Sequence, residues 1–310
     1  MISNKEMNLP TISVCVATLN AEAVLEECLR RLSKQNYPKE KIELIVGDGG
    51  SKDKTTEIVK EYGGRVFHNP LKTAESGKAV AVKQAGNDLV LILDSDNFLP
   101  DKDWLKRMVE PFIDEQIKLS EPIRFTWRKE GGYIERYSAL TGVNDPICLF
   151  LGNYDKWNYS TRRWTDVKHE EEDKGRYLKI KLTKKGIPTI GANGTVFRRE
   201  FLRSLDLGSY LFDIDVIAKE IADKGYIYVA KVKVGVIHTF CEGSFLKFIR
   251  KQQRRIKDYI FHKKNKSRAF NWDEFELGGR SSLGLLKFIV YTLLVFPLFS
   301  VSYWVFKKTR

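Results

Sequence analysis

Short apolar runs alternate with amphipathic segments through the first third of the chain. The runs are rich in β-branched residues, which is typical of strands buried on both faces of a parallel sheet. The segments between them repeat apolar residues every three or four positions, as helices with one buried face do. The pattern predicts strands at 11–18, 42–46, 65–68 and 89–93, and helices between Asn20 and Pro38, at 53–62 and at 76–86. This alternation predicts a doubly wound, Rossmann-like α/β fold with a mostly parallel central sheet flanked by helices.

The pattern becomes irregular later in the chain. Residues 121–185 are rich in Trp, Tyr, Arg and Gly, and they predict loops and short elements that form the other wall of a cleft. Residues 187–197 return to strand character, 212–224 predict an amphipathic helix, and 226–237 predict a strand that ends before His238. Four aromatic residues of the irregular stretch are candidates either for stacking on a sugar or lipid or for the core: Trp127, Trp157, Tyr159 and Trp164.

The last part of the chain begins with a basic helix. Residues 245–261 predict a helix with a mainly apolar stripe, and basic residues cover the rest of its surface. The stripe contains Phe245, Phe248, Ile249, Gln252, Ile256, Tyr259 and Ile260, and the basic residues are Lys247, Arg250, Lys251, Arg254, Arg255 and Lys257. A helix of this composition lies well on an anionic membrane surface.

An apolar segment follows at 288–306. It carries no charge, and at about 1.5 Å per residue it reaches roughly 28 Å, close to the ~30 Å thickness of a bilayer core. This length favours a membrane segment over a buried core helix, and the heavy basic load before it places the preceding domain on the cytoplasmic side. We therefore predict an α/β domain at 1–240, a basic juxtamembrane region at 241–282, and a membrane segment with a basic tail at 283–310.

Charge and cysteine content narrow the range of partners. The formal net charge of +13 implies an anionic partner, such as a lipid headgroup, a phosphorylated substrate or nucleic acid. Nucleic acid is the weaker interpretation because no known nucleic-acid-binding motif accompanies the basic residues. The four cysteines are scattered without a C-x-x-C pair, which argues against a zinc site or a disulfide framework.

The main candidate for chemistry is Asp94-Ser95-Asp96, which directly follows the predicted strand at 89–93. Ligands bind at the carboxyl ends of strands in open α/β sheets, so both acids face the expected site. Hard oxygen ligands of this kind suit Mg²⁺ or Mn²⁺, which keep open positions for substrate phosphates. The alternative is a polar turn stabilised by local hydrogen bonds.

Other polar residues have two interpretations each. Asp48 follows the second strand in a Gly-rich turn, where it either accepts a hydrogen bond from a nucleobase or only shapes the turn. Asp213 and Asp215 lie in the first turn of the 212–224 helix, where the helix dipole alone would favour acids. His238 follows a sheet strand and is either a metal ligand or a structural histidine.

Taken together, these stretches resemble the inverting family-2 glycosyltransferases of the GT-A fold. The matching segments are 13–22, Gln35-Asn36-Tyr37-Pro38, 46–55 around Gly47-Asp48-Gly49-Gly50-Ser51, and Leu93-Asp94-Ser95-Asp96-Asn97, which matches the family's DXD metal motif. The resemblance covers about residues 10–240 and rests on the order and spacing of these motifs.

The resemblance implies a donor site. Thr18, Asn20 and Asp48 would line the nucleoside pocket, and Lys78 would lie near the diphosphate. Asp96 would be the main metal ligand and His238 would complete the metal shell. Asp94 and the adjacent Ser95 would lie nearer the ribose, with Asp94 also a candidate metal ligand for Mg²⁺ or Mn²⁺.

The resemblance also implies an acceptor side. Asn193 and Gly194 would belong to the loop beside the donor sugar and the acceptor. The family's Glu-Asp pair that supplies the catalytic base is absent as such, and the nearest match offers Asp213 first and Asp215 second. Gln252-Gln253-Arg254-Arg255-Ile256 resembles the Gln-x-x-Arg-Trp motif of processive synthases, but Ile256 replaces the Trp, which argues against processivity.

The implied activity is metal-dependent transfer of a hexosyl group from a nucleotide-diphosphate sugar in cell envelope glycan biosynthesis. The expected acceptor is a lipid-linked molecule, such as a polyprenyl phosphate or glycolipid, or a growing glycan, at the cytoplasmic membrane face. Two other functions stay open on the sequence: a nucleotidyltransferase on a related sheet, which would release pyrophosphate, and a non-catalytic basic adaptor that binds anionic membranes or nucleic acid.

Overall fold

A computed structural model describes residues 9–191, 193–205, 208–265, 283–284, 286–291 and 293–294. In this part of the chain the strands are β1 Ile12–Thr18, β2 Ile42–Asp48, β3 Arg65–His68, β4 Leu89–Asp94, β5 Asn97–Phe98, β6 Ile117–Thr126, β7 Glu170–Asp173, β8 Tyr177–Thr183, β9 Thr195–Arg198 and β10 Tyr226–His238. The helices are α1 Glu22–Ser33, α2 Thr55–Glu61, α3 Ala74–Lys83, α4 Trp104–Val109, α5 Tyr133–Thr141, α6 Pro146–Leu151, α7 Arg199–Ser204, α8 Asp213–Lys224 and α9 Phe245–Asn265.

All of these strands belong to one sheet, in the order β3-β2-β1-β4-β9-β6-β10-β8-β7, and β5 pairs with the end of β10. β1 to β4 are parallel, and β6 is parallel to β10. β9 lies between these two parallel groups and is antiparallel to both β4 and β6. The strands of the two groups therefore run in the same direction. As a result β1, β2, β4, β6 and β10 all end at the same edge of the sheet.

Helices cover both faces of the sheet. Along β1, Val14 and Val16 pack with α1 and α4, whereas Cys15 packs with α3 on the opposite face. Residues Leu89 to Leu93 of β4 also alternate between the two faces. Because helices cover both faces, all five side chains are buried and the run is continuously apolar. The doubly wound α/β fold predicted for the first part of the chain is confirmed.

The structure corrects the prediction for the middle of the chain. Residues 121–185 contain β8 and most of β6, and these two strands flank β10 in the second half of the sheet. β6 lacks a clear apolar pattern because Lys118, Glu121 and Pro122 interrupt it. Residues 187–197 were expected to have strand character with an interruption at 191–194, and the part after the interruption forms β9, which is antiparallel to β4 and β6.

The C-terminal part is described in two pieces. α9 covers the predicted basic helix, and residues 283–284, 286–291 and 293–294 are also helical. Most of the predicted membrane segment at 288–306 lies outside the described residues. Within the described ranges, no helix combines the length and the apolar character needed to cross a membrane.

Candidate active site

Three adjacent parallel strands each end with a polar residue at the carboxyl edge of the sheet. Thr18 ends β1 and is in register with Asp48 at the end of β2, while Asp94 ends β4 beside Ala17 of β1. The strands themselves are apolar and fix this register, so the position of each polar residue follows from the alignment of the buried runs. The edge of the sheet thus brings together three residues that the sequence predicted for the donor site.

The carboxylate of Asp48 is buried and already fully hydrogen-bonded. Its Oδ1 accepts hydrogen bonds from the hydroxyls of Thr18 (2.8 Å) and Ser51 (2.6 Å). Its Oδ2 accepts from the backbone N–H groups of Gly50 (2.9 Å) and Ser51 (2.8 Å). Burial alone would raise the pKa of Asp48, but the hydrogen bonds from Ser51, Thr18 and Gly50 outweigh it and hold the pKa below its ordinary value.

Asn20 ties the loop after β1 to the same turn. Its backbone is left-handed at φ 51°, a conformation that asparagine tolerates better than most residues. Its side-chain oxygen accepts from the Lys52 N–H over 2.9 Å, and its own N–H donates to the Ser51 hydroxyl over 2.8 Å. Thr18, Asn20 and Asp48 therefore lie together around the hydroxyl of Ser51, and their contact with a nucleoside stays a prediction.

Lys78, in the second turn of α3, points at the end of β4. Its ammonium group lies 3.3 Å from Asp94 Oδ1, and the lysine side chain is almost completely buried. Burial would lower the pKa of Lys78, but the charges of Asp94, Asp213 and Glu75 outweigh it and raise the pKa above its ordinary value. Lys78 is therefore a fixed positive charge at the edge of the sheet.

A cavity of about 220 Å³ opens beside Lys78. Its walls are formed by Glu75, Lys78, Thr189, Ile190, Leu211, Phe212, Asp213 and Ile214. Asp213 thus shares a cavity with the lysine, whereas Asp215 of the same helical turn does not line it. The sequence ranked Asp213 first and Asp215 second as the catalytic base, and that assignment stays a prediction.

Asp96 pairs with the histidine at the end of β10. Its Oδ2 lies 3.4 Å from His238 Nε2 and 3.8 Å from the ammonium group of Lys251 on α9. Burial would raise the pKa of Asp96, but His238 and Lys251 outweigh it and hold the pKa well below its usual range. Residues 96 and 238 are far apart in the chain, and β5, which pairs with the end of β10, brings them together.

Asn193 and Gly194 contact the residues around Asp96 and the strand β4. Asn97 Nδ2 lies 3.4 Å from Asn193 Oδ1 and 3.5 Å from Asp96 Oδ1, so Asn193 is linked to the metal motif through Asn97. Gly194 is left-handed at φ 83° and donates to the Ile92 carbonyl over 3.2 Å. Asn193 and Gly194 are thus held near β4 and Asp96, and their position beside a donor sugar and an acceptor stays a prediction.

The predicted set of metal ligands is only partly assembled. Asp96 and His238 face each other, but Asp94 pairs with Lys78 instead. Among the described residues, no group of three or more His, Cys, Asp or Glu side chains is arranged to hold a metal ion. Ser95, between the two acids, is half-buried.

The aromatic candidates divide into two groups. Trp164 is buried against the ammonium group of Lys231, and the partly buried Trp157 packs against the core. Trp127 and Tyr159 are exposed and meet edge to face, with ring centroids 6.4 Å apart. Because Trp127 directly follows β6, which ends beside His238 of β10, this exposed pair lies at the edge of the sheet that carries the site.

Sequence reasoning missed a buried group of charged residues next to the cavity. Glu121 on β6 faces Lys231 on β10, and its Oε1 accepts from Lys231 (2.6 Å) and from Lys156 (2.7 Å). Lys156 also donates to Asp155, which lies 3.4 Å from the hydroxyl of Thr189 in the cavity wall. Burial raises the pKa of Glu121 and lowers that of Lys231. The two strands are distant in sequence, so no local pattern indicates this pairing.

An open α/β sheet with these groups at its carboxyl edge defines a protein of the nucleotide-binding type, with its site where such sheets bind ligands. A comparison with protein families identifies the family to which the chain belongs. The model of the glycosyl transferase family 2 matches residues 13–206, so the chain belongs to that family.

Two curated relatives illustrate the similarity. The chain is 27% identical over 142 residues to the glycosyltransferase AglE of Haloferax volcanii. This alignment covers 44% of this chain and 46% of the relative. It is 33% identical over 118 residues to a dolichyl N-acetyl-α-D-glucosaminyl phosphate 3-β-D-2,3-diacetamido-2,3-dideoxy-β-D-glucuronosyltransferase of Methanococcus voltae, covering 36% of each chain. The matched region thus spans less than half the length of these relatives.

A solved structure shares the fold. The mannosyltransferase PcManGT from Pyrobaculum calidifontis, determined in complex with GDP-mannose and Mn²⁺, aligns with a TM-score of 0.50 at 20% sequence identity. The alignment covers 76% of this chain and 58% of that protein. The GT-A type of fold predicted from the sequence is therefore confirmed for the catalytic region.

Proposed function

We propose that this chain transfers a sugar from a nucleoside diphosphate sugar to an acceptor, with inversion at the anomeric carbon. One observation carries the proposal: the pairs Asp96–His238 and Lys78–Asp94 lie at the same edge of the sheet, beside a cavity that contains Asp213. Membership of glycosyl transferase family 2 supports this reaction over a nucleotidyltransferase or a non-catalytic adaptor.

The donor nucleoside is assigned to the pocket around Thr18, Asn20 and Asp48. Asp48 acts there mainly by shaping the turn, because a carboxylate has about four acceptor sites and four protein donors already use them. Contacts with the edge of the base then come from backbone and side-chain groups of the turn that Asp48 fixes. The diphosphate extends from this pocket towards Lys78 and Asp96.

The residues at Asp96 fit a divalent cation. The carboxylate of Asp96 is an oxygen ligand that suits Mn²⁺ or Mg²⁺, and the His238 imidazole, 3.4 Å from it, is the proposed second ligand. Mg²⁺ in particular binds few protein side chains and takes other ligands from substrate phosphates, so two protein ligands suffice. When bound, the cation supplies positive charge to the departing diphosphate. Because PcManGT was determined with Mn²⁺, that ion is the first to test here.

The mechanism is a direct displacement. The bond between the anomeric carbon and the diphosphate oxygen breaks as the bond to the acceptor oxygen forms. Lys78, whose charge is fixed by Asp94, stabilises the negative charge that develops on the leaving group. Asp213 takes the proton of an acceptor hydroxyl within the cavity. An acceptor that is already an ionised phosphate needs no such base.

We infer a lipid-linked acceptor from the exposed surface of α9. Its apolar side chains Phe245, Leu246, Ile249, Ile256, Ile260 and Phe261 are between 37% and 66% exposed. The exposed basic side chains Lys247, Arg250, Arg254, Lys257 and Lys264 lie on the same helix. Because basic and apolar side chains alternate around its outer surface, α9 is complementary to an anionic membrane. The name of the Methanococcus voltae relative contains a dolichyl-linked phosphate, which is consistent with this class of acceptor.

Vesicle binding tests this surface. With vesicles that contain anionic lipid, we expect Ile256→Glu/Ile260→Glu to weaken binding by more than tenfold, since each buried apolar side chain contributes about 1.5–3 kcal/mol. Lys60→Gln/Lys83→Gln changes two exposed lysines and lowers the net charge by the same two units, so it serves as control. Equal binding to neutral and anionic vesicles, or no loss in the double variant, would contradict the membrane assignment.

Product analysis tests the reaction. With UDP-sugars and GDP-sugars, Mn²⁺ and a panel of polyprenyl phosphate and glycan acceptors, we expect release of a nucleoside diphosphate and not of pyrophosphate. Asp96→Ala should lower turnover at least a hundredfold, in the range of lost charge stabilisation. Asp223→Ala on the exposed side of α8 should leave turnover unchanged. Pyrophosphate as product would instead support the nucleotidyltransferase.

A further inference from the structure

Helix α9 turns a mainly polar stripe towards the body of the protein. Phe248, Lys251, Gln252 and Arg255 are half-buried, while the apolar side chains around them stay exposed. The Gln252 amide donates to the Asn144 carbonyl over 2.7 Å, and the Arg255 guanidinium donates to the same carbonyl over 3.2 Å. The orientation of α9 is therefore fixed by specific hydrogen bonds, and it brings Lys251 to the site.

Lys251 reaches Asp96 from α9. Its ammonium group is 3.8 Å from Asp96 Oδ2 and 4.2 Å from the ring centroid of Phe240. The ring of Phe240 packs against both His238 and Phe248, so it forms a platform that connects β10 to α9. The side chains of Lys251 and Asp96 are 28% and 26% exposed, so neither is sealed in the core.

The charges around this position balance in a way that suits a diphosphate. The carboxylates of Asp94 and Asp96 are each matched by one ammonium group, from Lys78 and from Lys251. A divalent cation at Asp96 and His238 would therefore add positive charge that these two lysine–aspartate pairs do not compensate, and a diphosphate would neutralise it. Without Lys251, part of that charge would be lost. An ammonium group has three donors and binds phosphate oxygens well.

We propose that Lys251 binds the diphosphate of the donor, so that α9 completes the donor site. This inference rests on the proposed function, because it assumes that a nucleoside diphosphate sugar binds at Asp96. It also gives α9 two roles: its outer surface meets the membrane, and its inner stripe contributes a phosphate-binding side chain. Donor binding and the position of α9 are then coupled through Lys251.

Direct binding of UDP and GDP to the full chain tests the proposal, by calorimetry in the presence of Mn²⁺ and without membranes. We expect Lys251→Met to weaken binding of the preferred nucleoside diphosphate about ten- to a hundredfold, as for a lost hydrogen bond to a charged group. Lys251→Arg, which keeps the charge, should retain most of the affinity. The matched control is Lys83→Met, which removes an exposed lysine from α3, and it should bind as the wild type does.

The outcomes separate this inference from the function on which it rests. If the wild type binds a nucleoside diphosphate and Lys251→Met binds it equally well or more tightly, Lys251 is not a phosphate ligand and the inference is overturned. If the wild type binds neither UDP nor GDP with Mn²⁺, the proposed function falls, and this inference with it. A loss in Lys251→Met that Lys251→Arg restores supports the inference.

Discussion

Gly47 and Gly77 are in direct contact, and neither has space for a side chain. A β-carbon on Gly47 would lie 2.2 Å from the Gly77 carbonyl oxygen, and one on Gly77 would lie 2.8 Å from the β-carbon of Ala17. This contact lets α3 begin directly against the ends of β1 and β2. Because Lys78 follows Gly77, the same contact sets the position of its ammonium group beside Asp94.

Replacing Gly47 with alanine should therefore affect both stability and binding. The new methyl group meets backbone, which cannot rotate away, so we expect a loss of about 1–3 kcal/mol in the free energy of unfolding. We also expect weaker binding of a nucleoside diphosphate, since α3 must shift and carry Lys78 with it. Urea unfolding and calorimetry measure the two effects. Gly86→Ala is the control, because a β-carbon there meets only Glu43 Oε1 at 3.5 Å.

Asp48→Asn should destabilise the protein in a pH-dependent way. The amide cannot accept the hydrogen bonds that reach both oxygens of Asp48, and at pH 7 we expect a loss of about 1–3 kcal/mol. The folded-state pKa of Asp48 is lowered, so its contribution is complete above the ordinary carboxyl pKa of about 4 and is lost as the pH falls through the folded-state value. The difference between wild type and variant should shrink below about pH 4.

Urea unfolding of both proteins across this pH range measures the effect, with Asp223→Asn on the exposed side of α8 as control. A difference in stability that stays constant from neutral to acid pH would show that the ionised carboxylate of Asp48 is not what stabilises the turn.

The location of the site was predictable because it depends on local patterns. Buried apolar runs identify the parallel strands, and the polar residue after each run must lie at the carboxyl edge. That reasoning places Thr18, Asp48, Asp94 and Asp96 near one another without coordinates. It also places His238 at this edge, because the largely apolar strand before it ends there.

The contacts that depend on tertiary packing were not predictable. Glu121 and Lys231 are 110 residues apart, and each reads as an exposed charge in its own strand, although both are fully buried. The sequence pattern of α9 places Phe248 and Gln252 on the stripe that was expected to meet the membrane. In the structure Gln252 instead faces the protein body, where its amide donates to the Asn144 carbonyl. The direction of Asp94 towards Lys78 likewise depends on how α3 packs, which the sequence does not reveal.

The buried charges around Glu121 lead to a third prediction. Lys231→Met leaves the carboxylates of Glu121 and Asp155 with only Lys156 as a counter-charge, and breaking a buried pair in this way costs about 3–5 kcal/mol. Urea unfolding measures the loss. Lys233→Met, which removes an exposed pair with Asp173, should cost less than about 1 kcal/mol.

The double variant Glu121→Gln/Lys231→Met should be more stable than Lys231→Met alone, since the excess negative charge is removed. If the double variant loses as much stability as the sum of both single changes, the effect of Lys231 does not arise from its pairing with Glu121.

The role of Asp213 depends on the chemistry of the acceptor. If the acceptor group is a hydroxyl, Asp213→Asn removes the general base, and we expect turnover to fall by about 10²–10⁴-fold. If the acceptor group is a phosphate, it is already ionised at neutral pH, so the same substitution should lower turnover less than about tenfold. Steady-state rates with one alcohol acceptor and one polyprenyl phosphate, measured for the same variant, therefore distinguish the two cases.

Asp215→Asn provides the internal comparison, because Asp215 lies in the same turn of α8 but does not line the cavity with Lys78. Its effect on the hydroxyl acceptor should be at least tenfold smaller than that of Asp213→Asn. If Asp215→Asn lowered turnover more than Asp213→Asn, Asp215 would be the catalytic base, and the acceptor would have to approach from outside the cavity. Asp223→Asn, exposed near the end of the same helix, corrects both rates for the loss of a negative charge on α8.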